Sequence, residues 1–371
     1  MLSAQRGKSL NYEQNPEVRT LVINSSPAAI TIQEVADLAK VSPKTVSRVI
    51  NNEPRVRSDT RARILEAIEQ LNYRPNLNAR GLASNRSFLI GLFCEKPGDY
   101  LLSEFQAGAI ARCRESSLHL IVESWDVESP EIHRQIDTLL GQLRLEGVIL
   151  LPPLSDHPVV LSELQEASIP IVRIAPKHHL SAAPSIGIDD YAAARQITAH
   201  LASLGHRRIG FILGRAEHGA TQQRYRGFVD EMRARQIPVD SDLVQTGNFD
   251  FGDGLICTER MLRAAMPPTA IFASNDDMAA AAVSMARKFG LDLPGQLSVA
   301  GFDDAPVARM IWPELTTVRQ PVAAMARIAT DLIIQLEPRR NGWPDSIPRH
   351  LLDHELIIRN STARPARPAR R

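Results

Sequence analysis

Residues Thr31 to Asn51 read TIQEVADLAKVSPKTVSRVIN: two short helical segments around a tight turn, the second with a polar, cationic outer face. Thr31 and Glu34 form a Ser/Thr-x-x-Glu capping box, in which each side chain satisfies an amide left orphaned at the helix start. Ile32, Val35, Ala36 and Ala39 recur at helical spacing and supply one apolar face. Ser42 stands where it can cap the second helix, with Pro43 at the first helical position, where a missing N–H costs nothing. Val46, Val49 and Ile50 then form an inward stripe, while Lys44, Ser47, Arg48 and Asn51 face outward at i, i+3, i+4 and i+7. A third helix, from about Thr60 to Leu71, offers Ile64, Leu65, Ile68 and Leu71 to close a small core. Caps, turn and stripe together spell a helix-turn-helix DNA reader rather than an ordinary solvated hairpin.

The outward stripe is what a major groove would meet. Lys and Arg donate to guanine O6 and N7, Asn pairs with adenine, and Ser and Thr reach phosphates or base edges. The DNA-facing set of the head is therefore Thr31, Ser42, Pro43, Lys44, Thr45, Ser47, Arg48 and Asn51. The strings TVSRVIN (45–51), LNYRPN (71–76) and ARGLA (79–83) follow one another at the spacing of the LacI/GalR family of bacterial transcription regulators, which this region resembles. The resemblance adds Tyr73 and Asn76 to the DNA-facing set. It implies a hinge over 77–86 that becomes helical on the operator, with Leu82 as a minor-groove wedge and Ala79 its groove-facing neighbour. A wedged apolar side chain unstacks a base step and bends the duplex, which additional contacts offset. Gly81 lowers the intrinsic helicity of this segment by roughly 1 kcal/mol relative to Ala, which suits a helix formed only on DNA. Without the resemblance, 77–86 reads as an interdomain linker.

Charge is concentrated in the same place. The chain of 371 residues carries a net +1, but from Thr31 to Arg86 ten Lys or Arg stand against six Asp or Glu, a local +4. A favourable phosphate field is thereby focused on the head. Cys94, Cys113 and Cys257 lie far apart without a CxxC pair, so neither a disulfide framework nor a zinc site is expected. With no run of 18 apolar residues and no hydrophobic signal region, a cytoplasmic protein outside the membrane is expected. Residues 1–28 lack periodicity and read as a disordered extension, and 361–371, ending in ARPARPARR, as a disordered basic tail. No leucine heptads follow Arg359, so a coiled-coil tetramerisation tail is not expected.

From Phe88 onward short apolar runs alternate with helical segments, the pattern of parallel α/β units. SFLIGLF, LHLIVES, GVILL and IPIVRI are strand candidates for a first lobe, and RIGFILG, TAIFAS and LSVAGFDD for a second. SEFQAGAIARCRE and AAARQITAHLASLG show helical periodicity between them. The strings IDDYAAARQITAHLASLGHRRIGFI, RYRGF, FASNDDMA, LSVAGFDD and PELTTVRQP extend the family resemblance to about residues 29–360. The fold class it implies is an N-terminal all-α helix-turn-helix head (29–76) and hinge helix, followed by an α/β core of two doubly wound, periplasmic-binding-protein-like lobes (87–360) that bind effector and dimerise.

Ligands of open α/β sheets bind beyond the carboxyl ends of the strands. Asn275 and Asp276 follow TAIFAS, and Asp303 and Asp304 follow LSVAGF. The resemblance implies that Arg224 of RYRGF, Asn275 and Asp303 hold polar groups of an effector and that Phe249 stacks on a sugar face. Carboxylate, amide and guanidinium together match a polyhydroxylated ligand. Turn chemistry at strand ends is the alternative reading of Asp303 and Asn275. Two departures bear on the ligand. Ala175 stands where the family often has Asp, which brings Arg173 forward either as a ligand contact or as a paired structural charge. EKPGDYLLSE (95–104) replaces an Asn-Pro-Phe-Phe type segment and leaves Tyr100 as the aromatic.

Enzyme readings lack their motifs. There is no G-x-G-x-x-G, Walker loop, G-x-S-x-G elbow or H-E-x-x-H, so no catalytic residue, metal ligand or cofactor is expected. His178-His179 reads as a solvated loop and His206 as structural. The sequence thus points to an effector-responsive regulator, a repressor in the first instance, binding a near-palindromic operator in double-stranded DNA as a homodimer and sensing a sugar or small oligosaccharide. Sensing of a nucleobase or other metabolite, or a solute-binding module with a degenerate head, are the alternatives.

Overall fold

The computed structural model describes residues 30–50, 53–73, 86–95, 100–178, 180–336 and 347–366. The chain forms two compact units, one up to Arg80 and one from Gly81. Asn51, Asn76, Ala79 and Leu82, the 1–28 extension and the hinge up to residue 85 lie outside the described residues.

The first unit contains α1 (Ile32–Ala39), α2 (Pro43–Ile50) and α3 (Ser58–Gln70). The capping box is formed: Thr31 N donates to Glu34 Oε2 at 2.7 Å, and Glu34 N to Thr31 Oγ1 at 3.4 Å. Lys40 ends α1 in the left-handed region, and Ser42 Oγ accepts from Thr45 N at 3.3 Å to start α2. Val35, Ala36, Ala39, Val46, Val49, Ile64, Ala67 and Tyr73 make the core, with Ile68 and Leu71 packed at its edge. Leu65 does not join it. It is 52 % exposed, because the inward face of α3 runs through Ile64 and Ala67, a turn's fraction away.

In the second unit the first lobe is built on a parallel sheet in the order β11-β5-β4-β3-β1-β2. Its strands are β1 (Leu89–Cys94), β2 (His119–Ser124), β3 (Gly147–Leu150), β4 (Ile171–Ile174), β5 (Ser185–Ile188) and β11 (Arg349–Leu352). The helices α4 (Tyr100–Glu115), α5 (Ile132–Gln142), α6 (Pro158–Glu166) and α12 (Val322–Gln335) belong to this lobe, with α12 packed on α4 and on β3, β4 and β5. The second lobe has a parallel sheet, β7-β6-β8-β9, formed by β6 (Ile209–Leu213), β7 (Val244–Thr246), β8 (Ala270–Ala273) and β9 (Ser298–Ala300). Around it lie α7 (Asp190–Ser203), α8 (Gly219–Ala234), α9 (Phe251–Leu262), α10 (Asp276–Lys288) and the short α11 (Val307–Met310). A two-stranded antiparallel ladder of β10 (Thr317–Arg319) and β12 (Glu355–Ile357) completes the unit.

The chain passes between lobes three times: after β5, after β10 and after β11. A continuous apolar cluster runs from Ile90 and Leu92 through Ile186 to Phe211, Phe272 and Phe302, so the lobes share one core at their junction. Polar links join them as well. Arg215, past β6, pairs with Glu95, past β1, at 2.5 Å, and Lys177 Nζ donates to the Ala216 carbonyl at 3.1 Å.

The expected disordered tail does not begin at 361. Ser361 is fully buried, donates to the Val299 carbonyl at 2.5 Å and accepts from Thr316 N at 2.8 Å; Ala366 N reaches the Gly295 carbonyl at 2.9 Å. These bonds satisfy the backbone at the β9 edge, which keeps residues 361–366 ordered against the second lobe. Only 367–371 of the expected tail lie outside the described residues. Arg86, at the end of the expected hinge, is tied to Glu146 at 3.1 Å.

Candidate functional site

A cavity of about 310 Å³ opens between the lobes, lined by Tyr100 and Glu104 from the first and by Asp303, Asp304, Ala305, Pro306, Arg309, Arg319 and Gln320. It lies beyond the carboxyl end of β9, where open α/β sheets place ligands. Tyr100 and Asp303, both expected at the effector site, line it.

Arg224, on α8, is buried behind this wall. Its Nε donates to Asp190 Oδ1 at 2.8 Å, another nitrogen to the Ser274 carbonyl at 2.5 Å, and its guanidinium lies 3.5 Å from the centroid of Phe302. Asp303 Oδ1 sits 3.9 Å from Arg224 and accepts from Gln320 Nε2 at 2.7 Å. Asp303 and Asp304 both hold positive φ, 109° and 57°, in a turn that aims two successive carboxyls from one strand end. Asp304 is gripped by Arg319 at 2.8 Å, Arg309 at 3.3 Å and Arg359. Burial alone would raise its carboxyl, but Arg359 and Arg319 hold it below its ordinary value.

Asn275 caps α10, accepting from Met278 N at 3.0 Å, and donates to the Phe249 carbonyl at 2.8 Å. That bond fixes Phe249 at φ 62°, its ring flat over Gly214, where a Cβ would fall 1.9 Å from a ring carbon. The expected residues Asn275 and Phe249 are thus joined to each other. Next to them Asp276 is buried, accepting from Thr317 Oγ1 and Ala305 N, each at 2.7 Å. Gly301 exists to admit it, since a Cβ there would lie 2.1 Å from Asp276 Oδ1. Burial, and then the Asp303 charge, push the Asp276 carboxyl well above its ordinary value.

Arg173 is not brought to the cavity. It is fully buried in β4, with Nε on the Ser155 carbonyl at 2.5 Å and another nitrogen on Asp156 at 2.7 Å and the His178 carbonyl at 2.8 Å. Asp156 in turn receives the amides of Lys177 and His178 at 2.6 and 2.9 Å. The geometry is that of a paired structural charge holding the loop after β4, the second of its two readings, and the expected ligand contact is corrected accordingly.

On the head, Lys44 and Arg48 are exposed along α2, and Thr45 and Ser47 half-buried. Arg48 meets Glu53 at 3.5 Å, both side chains about half exposed. Thr31 and Ser42 are occupied as caps yet remain exposed, Pro43 is half-buried at the start of α2, and Tyr73 is buried in the head core. Sequence reasoning missed Asp190, Gln320 and Glu104, while Asp304 was read only as a strand-end neighbour of Asp303. Asp190 opens α7 directly after β5 in the IDD string, and Gln320 stands in VRQP after β10, so strand-end position was the available signal for both.

Residues 31–76 match the model for bacterial regulatory proteins of the lacI family, and 198–362 that for a periplasmic binding protein-like domain. The chain is 31% identical over 341 residues to the "Probable HTH-type transcriptional repressor ExuR" of Bacillus subtilis (strain 168), covering 90% of this chain and 99% of that one. Among solved structures, it resembles the lac repressor dimer bound to operator and the anti-inducer ONPF (TM-score 0.77, 27% identity, 90% and 99% coverage). It also resembles a complex of the transcriptional regulator CelR with cellobiose (TM-score 0.68, 29% identity, 90% and 99% coverage).

Proposed function

This chain belongs to the lacI family of bacterial regulatory proteins, and on that premise we propose that it is a repressor whose operator affinity is set by a sugar or small oligosaccharide held between its lobes. The observation that carries the effector half is the convergence of Tyr100, Asp303 and Gln320 on one cavity, with Arg224 and Asp190 behind it. Carboxylate and amide oxygens and a phenol suit hydroxyls, which both donate and accept. In the DNA half, Lys44 and Arg48 of α2 read base edges, with Thr31, Ser42, Pro43, Thr45, Ser47, Asn51 and Asn76 as the remaining head contacts and Tyr73, buried in the head core, offering its hydroxyl edge. Ala79 and Leu82 of the hinge enter the minor groove.

The operator is near-palindromic because two copies present equivalent heads. The second lobe leaves Phe251, Ile256, Met310 and Trp312 between 44 and 79 % exposed, apolar area that a second copy would cover. Ligand binding shifts the lobes, and the coupling runs in both directions. The protein works in the cytoplasm. DNA selected from random sequence, with and without a sugar panel, tests the reading. A near-palindrome whose recovery changes with one sugar is the expected result; recovery that responds only to a nucleobase would replace the sugar, and no recovered sequence would retire the DNA half.

A further inference from the structure

Glu104 stands one turn into α4 from Tyr100, and the Tyr100 hydroxyl donates to it at the edge of the cavity. Across the cavity the cations are already committed. Arg309 and Arg319 both lean on Asp304, Arg359 joins them there, and Arg319 also takes Glu355 at 2.8 Å. Among the described residues no cation lies within ion-pair distance of Glu104. Among the described residues, its carboxylate thus faces the ligand space with the Tyr100 phenol as its partner.

Resting on the reading of this cleft as a sugar site, we infer that Glu104 is a specificity-determining residue: it accepts from a hydroxyl or ammonium of the effector and rejects a carboxylate at that place. A ligand carboxylate there would face Glu104 as a like charge, and such juxtaposition is among the stronger devices for refusing a wrong partner. A hydroxyl would gain a charge-assisted hydrogen bond, and an ammonium that bond together with charge neutralisation. Burial and then Glu104 raise the Tyr100 hydroxyl above its ordinary value, so the phenol keeps its proton on Glu104 and offers its own lone pairs to the ligand. The effector is accordingly a neutral or amino sugar, not a sugar acid. Arg309, the most exposed of the cavity cations, is where a sugar acid would otherwise have to bind.

The test is calorimetry on the full chain with the gluco and galacto series, each as neutral hexose, 2-amino hexose and 6-carboxylate, plus cellobiose and hypoxanthine. In the series that binds, the carboxylate should be weaker than the neutral sugar by about tenfold or more. Glu104→Gln should shrink that gap by at least about tenfold while keeping the thermal unfolding midpoint, because the amide retains an acceptor and loses the charge. A carboxylate binding as well as the neutral sugar, or a gap untouched in Glu104→Gln, overturns the inference and leaves the sugar site standing. Hypoxanthine binding with no sugar binding, or no binding by any probe, overturns the sugar reading and the inference with it.

Discussion

The Glu95 carboxylate and the Arg215 guanidinium meet at 2.5 Å from opposite lobes, 12 % and 14 % exposed. Few waters can screen such a pair, so it weighs on how the lobes sit. Arg215 also touches Glu217 at 3.5 Å, but that carboxylate is 58 % exposed and belongs to the same lobe.

Glu95→Gln and Arg215→Gln should each lower unfolding stability by about 1–3 kcal/mol, since each strands a largely buried charge. The exchanged pair Glu95→Arg with Arg215→Glu should recover at least half of that in thermal melts. X-ray scattering of the singles should show a more open core. Additive losses in the exchange would mean that the contact does not couple the lobes.

Arg48 must leave Glu53 to read a base. Arg48→Ala should cost about 1–3 kcal/mol per half-site on operator and little on random DNA, with specificity relaxed at one base pair. Equal weakening on both, measured by fluorescence anisotropy, would mark Arg48 as a phosphate contact. Glu53→Gln should tighten operator binding slightly, by removing the competing carboxylate.

Arg173→Met should destabilise the protein by about 3–5 kcal/mol, because Asp156 keeps its charge and loses its guanidinium. Adding Asp156→Leu should restore part of the loss. Chemical denaturation decides it, and an unchanged midpoint in the single variant would contradict a structural role.

His206 bonds Thr269 at 2.9 Å and the Ala363 carbonyl at 2.9 Å, and His200 bonds Thr362 at 2.9 Å, so two imidazoles hold the segment after β12. Burial lowers the pKa of both from 6.5. The folded state therefore keeps them neutral, while the unfolded chain takes up protons near pH 6.5. Stability should be full above that value and fall as pH drops below it, by at most about 1.4 kcal/mol per unit per histidine, until the folded values are passed. His206→Gln should flatten the slope of melting temperature between pH 7 and pH 5; an unaltered slope would assign it elsewhere.

The head and most strands were legible because their signals are local: a capping box, a proline at the helix start, period-2 and period-3.6 apolar runs. The strands that escaped were β5, β7, β10, β11 and β12, each of three or four residues; β7 and β11 lie at sheet edges and β10 and β12 form a ladder of their own, where flanking sequence carries little apolar pattern. Ser361 was unreadable for another reason. A serine between Asn360 and Thr362, ahead of an arginine- and proline-rich end, looks solvated, and its burial depends on Val299 and Thr316, far away in the chain. Asn275 and Asp303 were legible as strand-end positions, whereas the role of Arg173 hung on Asp156, seventeen residues earlier, and Glu104 on which face of α4 the cavity meets.

The route of the chain also orders its birth. The first lobe is begun early, yet α12 and β11, which close its sheet and cover its core, are translated only after every strand of the second lobe's parallel sheet. On the ribosome the second lobe's sheet can be completed while the first still lacks an edge strand and a packing helix. A chain released before Leu352 would carry a finished second-lobe sheet beside a first lobe with an unpaired strand edge, the kind of surface through which incomplete chains misassemble.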